Sequence, residues 1–246
     1  MKYKLYKDTI PEYSALQQIL YNRGIPIEEQ EKWLNAGWDD IHDWQELAPE
    51  KMKKACNLLY NCIEQNLDVI VIVDCDVDGY TSSAIITNYL YTLFPQWTHE
   101  HVRHILHKGK EHGLSDVMDE IPKSTSLAIV PDAGTNNWNE HQQLEKLGIK
   151  CLVLDHHEVE DIETVESSPA IIINVQLENY PNKSLTGAGV TWQFCRAFDD
   201  LYAEEPHAND FLDLCALGNI ADMASYKEPE IRALVNLGFE QYRKGN

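Results

Sequence analysis

The sequence predicts an α/β fold: a doubly wound, mostly parallel sheet flanked by helices, with an N-terminal helical segment packed on it. Three observations predict this. Four short apolar runs, VIVIV (69–73), LAIV (127–130), CLVL (151–154) and AIIINV (170–175), are continuous rather than alternating, as in parallel strands buried on both faces. Amphipathic segments at 82–94 and 138–147 separate the first three runs, the alternation that marks βαβ units. Three runs also stop at chemically useful residues: Asp74-Cys75-Asp76-Val77-Asp78-Gly79, Pro131-Asp132-Ala133-Gly134 and Asp155-His156-His157. Open parallel sheets bind ligands at the carboxyl ends of their strands, so such a sheet would gather Asp76, Asp78, Asp132 and His156 at one edge.

Each remaining element follows in order. Leu16, Ile19 and Leu20 form a helical stripe that Gly24 can end, and IPIEEQEKWLNAG repeats the pattern between Pro26 and Gly37. PEKMKKACNLLYNCIEQN predicts a third helix running into the first strand. Residues 1–67 are thus expected as a helical segment and 68–246 as the core. After the fourth run, 186–203 and 208–243 read as helices interrupted near Pro206 and around GNIADMASYKEP.

Hydrophobic residues make up 43% of the 246 and charged residues 24%, a globular rather than disordered composition. No apolar run approaches the roughly 20 residues that span a bilayer, and MKYKLYKDTIPEY has no secretory h-region. Six cysteines without CxxC spacing are expected as reduced thiols of a cytoplasmic protein. The net charge of −20 disfavours nonspecific nucleic-acid binding through a basic face. A phosphate-bearing substrate would need a local inversion of charge, for which bound divalent cations are the obvious agent.

The acidic cluster has rivals. Asp74 to Gly79 matches the opening of a calcium-binding EF-hand loop, but the twelfth position is Ile85, not Glu, and a strand precedes it. DCDV also fits a haloacid-dehalogenase-type phosphatase, which leaves Asp132 and the paired histidines without a role. The triplet in VLDHHEVED is the most specific signal, because adjacent imidazoles can serve a metal and a substrate at once. Carboxylate and imidazole without thiolate favour manganese or magnesium. The run His99, His101, His104, His107 and His112 is read as a solvated surface before a metal site.

Taken together, D-x-D-G, the isolated Asp132, D-H-H and the later G-x-I-A-D resemble the DHH phosphoesterase family, and within it the RecJ-type single-strand-specific exonucleases. RGI (23–25), EEQEKWLN, DCDVDGYTSSA, GLS (113–115), LDHHE, LTGAGVTWQF and DLCALGNIADMASY stand in RecJ order over nearly the whole chain. The resemblance implies metal ligands at Asp76, Asp78, Asp132, His156 and Asp222, with Asp74 at a further acidic position. His157 would face the scissile phosphate, and Asp155 would orient the neighbouring imidazole in a carboxylate–histidine–metal arrangement. Two manganese or magnesium ions, bridged by Asp132, would activate water for inline attack on phosphorus. Gly187 and Gly189 are read either as a turn admitting a phosphate or as helix packing.

The chain also departs from the pattern. Ile72 stands where many members carry a histidine, and HILHKGKEHGLS replaces an arginine and a G-Y-G-L run, so His107, Lys108, Lys110 and His112 become candidate substrate contacts. The sequence stops at Asn246, before the DHH-associated domain that RecJ-like enzymes carry. The resemblance implies 5′ to 3′ hydrolysis of single-stranded DNA and a replication or repair protein as partner. Short oligonucleotides or cyclic dinucleotides as substrates, or a non-catalytic binding subunit, remain alternatives.

Overall fold

The computed structural model describes residues 8–107 and 112–245. The chain opens with three helices, α1 (Ala15–Asn22), α2 (Gln30–Leu34) and α3 (Pro49–Glu64). Ser14 caps α1, its hydroxyl accepting from the Gln17 amide while the Gln17 side chain accepts from the Ser14 amide. Pro49 starts α3 at the first helical position, where a missing N–H breaks no bond. Then come β1 (Asp68–Val73), α4 (Val77–Leu93), α5 (Pro95–His101), β2 (Val102–Leu106), β3 (Thr125–Pro131), α6 (Trp138–Lys146) and β4 (Lys150–Asp155). The chain continues through α7 (Ile162–Glu166), β5 (Ile171–Asn174), α8 (Gly187–Tyr202), α9 (Leu212–Ala221) and α10 (Pro229–Lys244).

The five strands form one sheet in the order β2-β1-β3-β4-β5, parallel at every pairing. The α/β class expected from the sequence is therefore present, and the sheet is wholly rather than mostly parallel. Helices cover both faces, so alternate strand residues enter two cores. Val69 and Val71 pack with α3, α4 and α8, while Ile70 and Ile72 pack with Val130, Leu144 and Val153. Met52 and Leu59 of α3 are completely buried in the first of these cores. Burying each such side chain is worth roughly 1.5–3 kcal/mol, so α3 stabilises the same core as the sheet.

Strand β2 was not among the four runs expected. Only Val102 and Ile105 of its five residues are buried, because it is an edge strand and lacks a continuous apolar run. Its neighbourhood explains the histidine run. His104 Nε2 lies 2.8 Å from Thr87 Oγ1 and His101 Nδ1 lies 3.0 Å from Asp68 Oδ1, so these rings are partnered at the sheet edge. Among the described residues, only His112 of this run belongs to a cluster of three ligand-type side chains.

No two cysteines form a disulfide, and all but Cys75 are buried. Burial pushes the Cys62 thiol up to about 11 and that of Cys151 to about 12, which keeps both protonated and unreactive. Among the described residues no helix is long and apolar enough to cross a membrane. The shared core predicts that Leu59→Ala destabilises the whole domain by about 2–5 kcal/mol in urea unfolding. A loss below about 1 kcal/mol would mean that α3 is peripheral.

Candidate metal centre at the strand ends

The chain leaves β1 for β2 on one side and then crosses β1 to place β3 on the other. This reversal opens a crevice between the carboxyl ends of β1 and β3, the position where such sheets bind ligands. Asp74 follows β1 directly, and Asp132 follows β3. The acids of the opening motif then diverge in what they do. Asp76 is exposed and caps α4 by accepting from the Gly79 amide at 2.9 Å. Asp74 is buried, with Oδ2 2.7 Å from His112 Nδ1 and Oδ1 without a partner.

Asp78 faces the other way, across to the start of α8. Its Oδ1 accepts from the Thr186 hydroxyl at 2.9 Å and the Ala188 amide at 3.1 Å, and its Oδ2 from the Gly187 amide at 2.8 Å. This carboxylate supplies the cap that α8 lacks from its own N-terminal residue. Oδ2 is also 3.8 Å from His156 Nε2.

Asp132 is the least ordinary residue of the site. Its φ of 63° lies in the left-handed region, which costs a non-glycine residue roughly 1–3 kcal/mol. It is 1% exposed, and neither carboxylate oxygen has a hydrogen-bond partner among the described residues. Burial, then the charges of Asp78, Asp155 and Asp76, push its carboxyl well above the ordinary value. Buried, unpartnered carboxylates in mutual reach are destabilising unless a cation joins them. The donor set fits one. Asp74, Asp76 and Asp132 bring one oxygen each within 4.8 Å of one another, and Asp78, His156 and Asp222, like Asp132, His156 and His157, bring together carboxylate oxygens and imidazole nitrogens at the same range.

The third strand end supplies the imidazoles. His156 Nε2 points at three acids, 3.2 Å from Asp132 Oδ1, 3.7 Å from Asp222 Oδ2 and 3.8 Å from Asp78 Oδ2. Asp155 is buried beneath the pair. Its Oδ1 accepts from the amides of His156 (2.7 Å) and His157 (3.2 Å) and lies 2.7 Å from His157 Nδ1, and its Oδ2 accepts from the Thr135 amide. Asp155 therefore orients the ring of His157, not that of His156. This corrects the carboxylate–histidine–metal arrangement expected from the sequence, because the His156 ring turns away towards Asp132.

The Asp155 hydrogen bond, working against partial burial, raises His157 to about 9, which makes it an imidazolium at neutral pH. Burial opposes ionisation of Asp155, but the hydrogen bond and charge of His157, with the Thr135 donors, hold it well below the usual carboxylate range. His157 is half exposed and faces a cleft of about 420 Å³ that His112, Gly134 and Asn136 also line.

Other expected site residues fall in different places. Asp222, on the cap of α9, reaches His156 and stays partly exposed. A Cβ on Gly187 would collide with Asp132, so this glycine does admit close approach to the site. Gly189 instead packs against Leu185 and is buried, so packing rather than substrate access explains it. His107 is buried with Nε2 2.8 Å from the Gly113 carbonyl. Lys108 and Lys110 lie outside the described residues.

Sequence reasoning missed the props. Asn174 donates to the His157 carbonyl (3.0 Å) and Thr135 Oγ1 (2.8 Å), and Gln176 donates to the His156 carbonyl (3.2 Å). Asn174 lay inside the fourth apolar run, AIIINV, with nothing in the spacing to mark it as a brace.

Residues 68–219 match the family described as DHH family, N-terminal domain. The chain belongs to the DHH family. YorK of Bacillus subtilis, a prophage-derived member described as a single-strand DNA-specific exonuclease, is 38% identical over 244 residues. The match spans 99% of this chain and 40% of YorK. The single-stranded-DNA-specific exonuclease RecJ of Escherichia coli is 31% identical over 243 residues, 94% of this chain and 40% of RecJ. The crystal structure of Thermus thermophilus RecJ in complex with Mn2+ superposes with a TM-score of 0.65 at 26% identity, covering 79% of this chain and 27% of that one. The chain thus spans about two fifths of the length of these DHH relatives.

The His157–Asp155 pair titrates in a definite direction. A histidine raised from 6.5 to about 9 stabilises the fold fully below the unfolded value and loses that contribution as pH rises through about 9. Proton–nitrogen NMR of the EDTA-treated protein should place His157 well above 6.5, and Asp155→Asn should return it towards 6.5. An unshifted His157 in the native chain would contradict the pairing.

Proposed function

We propose that this chain is the catalytic core of a metal-dependent phosphodiesterase that hydrolyses single-stranded DNA from the 5′ end. One observation carries the reading. Asp132, buried with two unpartnered oxygens, belongs to ligand-type groups on both sides, with Asp74 and Asp76 and with His156. We assign two ions, manganese or magnesium, to Asp74, Asp76, Asp132, His156 and Asp222. Asp78 is assigned first to holding α8 and second to the His156 side. A divalent cation there supplies Lewis-acid polarisation of a phosphoryl oxygen and acidifies water.

The chain's own residues do the rest. His157, protonated through Asp155, donates to a phosphoryl oxygen as negative charge grows on phosphorus. Its orientation is fixed before substrate arrives, because ring, amide and carbonyl are each tied to Asp155 or Asn174. The 420 Å³ cleft beside it gives the diester a place to lie. Names of the relatives support single-stranded DNA as substrate, and a manganese-bound RecJ supports manganese.

The test is hydrolysis with manganese of a 5′-labelled single-stranded 30-mer, a dinucleotide and a cyclic dinucleotide. The 30-mer should be shortened from its 5′ end, and His157→Ala should slow it by about 10²–10³-fold. Preference for a dinucleotide would point instead to short oligonucleotides, which the net charge of −20 also suits. No hydrolysis of any of them, together with no manganese binding, would leave a non-catalytic binding subunit. A separate readout concerns Asp132. Asp132→Asn removes a carboxyl whose ionisation its surroundings oppose, so the EDTA-treated variant should melt about 2–4 °C higher per kcal/mol gained, while losing the rise in Tm expected from manganese in the native chain.

A further inference from the structure

A second cleft, of about 700 Å³, is lined by the segment that directly follows Asp222 in the chain. One wall is the 223–227 connection between α9 and α10, and Met223 is a single peptide step, about 3.8 Å between Cα atoms, beyond Asp222. Met223 takes a left-handed φ of 55° and is 87% exposed, which holds its thioether out at the rim. The opposite wall comes from the end of α1 and from α2, with Arg23 and Trp33. The RGI stretch at 23–25, which the metal centre leaves without a role, thus lies here.

The chemistry of this cleft differs from that of the rest of the surface. Asp and Glu make up 40 of the 246 residues, yet among the described residues none lines it. Arg23 and Lys227 do, both exposed. The aromatic part is braced from behind. Arg232 places its guanidinium carbon 3.3 Å from the Trp33 ring centroid and 5.9 Å from that of Tyr226, and its Nε donates to the Trp33 carbonyl at 2.6 Å. Two rings fixed through one cation lose little freedom when a flat ligand stacks on them. Free cations beside stacking surfaces are how proteins hold single strands without reading their sequence.

Resting on the phosphodiesterase reading, we infer that this cleft is the subsite for the nucleotide next to the scissile bond. Arg23 and Lys227 contact its flanking phosphates, and Tyr226 with Met223 supplies the face for its base. The cleft gives the acidic chain a local hold on a polyanion on the Asp222 side of the metal centre.

Binding of fluorescein-labelled dT12 to the manganese-loaded His157→Ala chain tests this by anisotropy at several salt concentrations. Each phosphate contact to a single strand adds about 0.7 to the slope of log affinity against log salt. Combining Arg23→Ala with Lys227→Ala should therefore flatten the slope by about 1.4. The charge-keeping pair Arg23→Lys with Lys227→Arg should retain it, which separates lost charge from lost structure. Tyr226→Ala should weaken binding about tenfold. An unchanged slope in the alanine pair overturns the subsite, as does absence of dT12 binding by the parent chain. Hydrolysis of bis(4-nitrophenyl) phosphate by the native chain, a diester with no neighbouring nucleotide, reports on the phosphodiesterase reading alone.

Discussion

Asp132 sits at the end of β3 with its carboxylate buried, unpartnered and surrounded by other acids. An ionised group in such a place is strongly destabilising unless charge of opposite sign reaches it. The molecule accepts this and is built around it. The parallel order β2-β1-β3-β4-β5 brings three strand ends to one crevice, and the left-handed φ of Asp132 turns its side chain in rather than away. Gly187 leaves the space that a larger residue would take from it.

The neighbouring acids divide into two kinds. Asp78 and Asp155 are neutralised from within, the first by the amides and hydroxyl at the start of α8, the second by three amides and an imidazole. Asp74 Oδ1 and both oxygens of Asp132 have no hydrogen-bond donor among the described residues, although His156 Nε2 lies 3.2 Å from Asp132 Oδ1. The internally satisfied pair form the frame, and the other pair belong to the groups of side chains that could hold a metal ion. A cation bound there would stabilise the fold and prepare the chemistry through the same contacts.

Much of this was legible in the sequence because buried parallel strands write continuous apolar runs, and functional residues follow such strands. β1, β3, β4 and β5 appeared within one or two residues of their observed ends. β2 did not, since an edge strand with Arg103 and His104 exposed shows no such run. α4 starts at Val77 rather than at 82, because the acidic stretch supplies its cap, Asp76. Contacts between distant segments were invisible for a simple reason: spacing along a chain does not say which imidazole Asp155 will hold, that His112 will meet Asp74, or that Asn174 will brace the histidine turn. Gly189 shows the same limit in reverse, since a flexible residue beside a motif can serve packing alone.

The cap that Asp78 places on α8 has an effect on anything that enters the crevice. The first turn of a sixteen-residue helix, with free amides and a positive dipole end, is the usual harbour for a phosphate. Here an internal carboxylate already occupies it. A polyanion arriving at the strand ends meets Gly187 and Ala188 amides that already donate to Asp78, so the start of α8 has less to offer it than a bare helix N-terminus would.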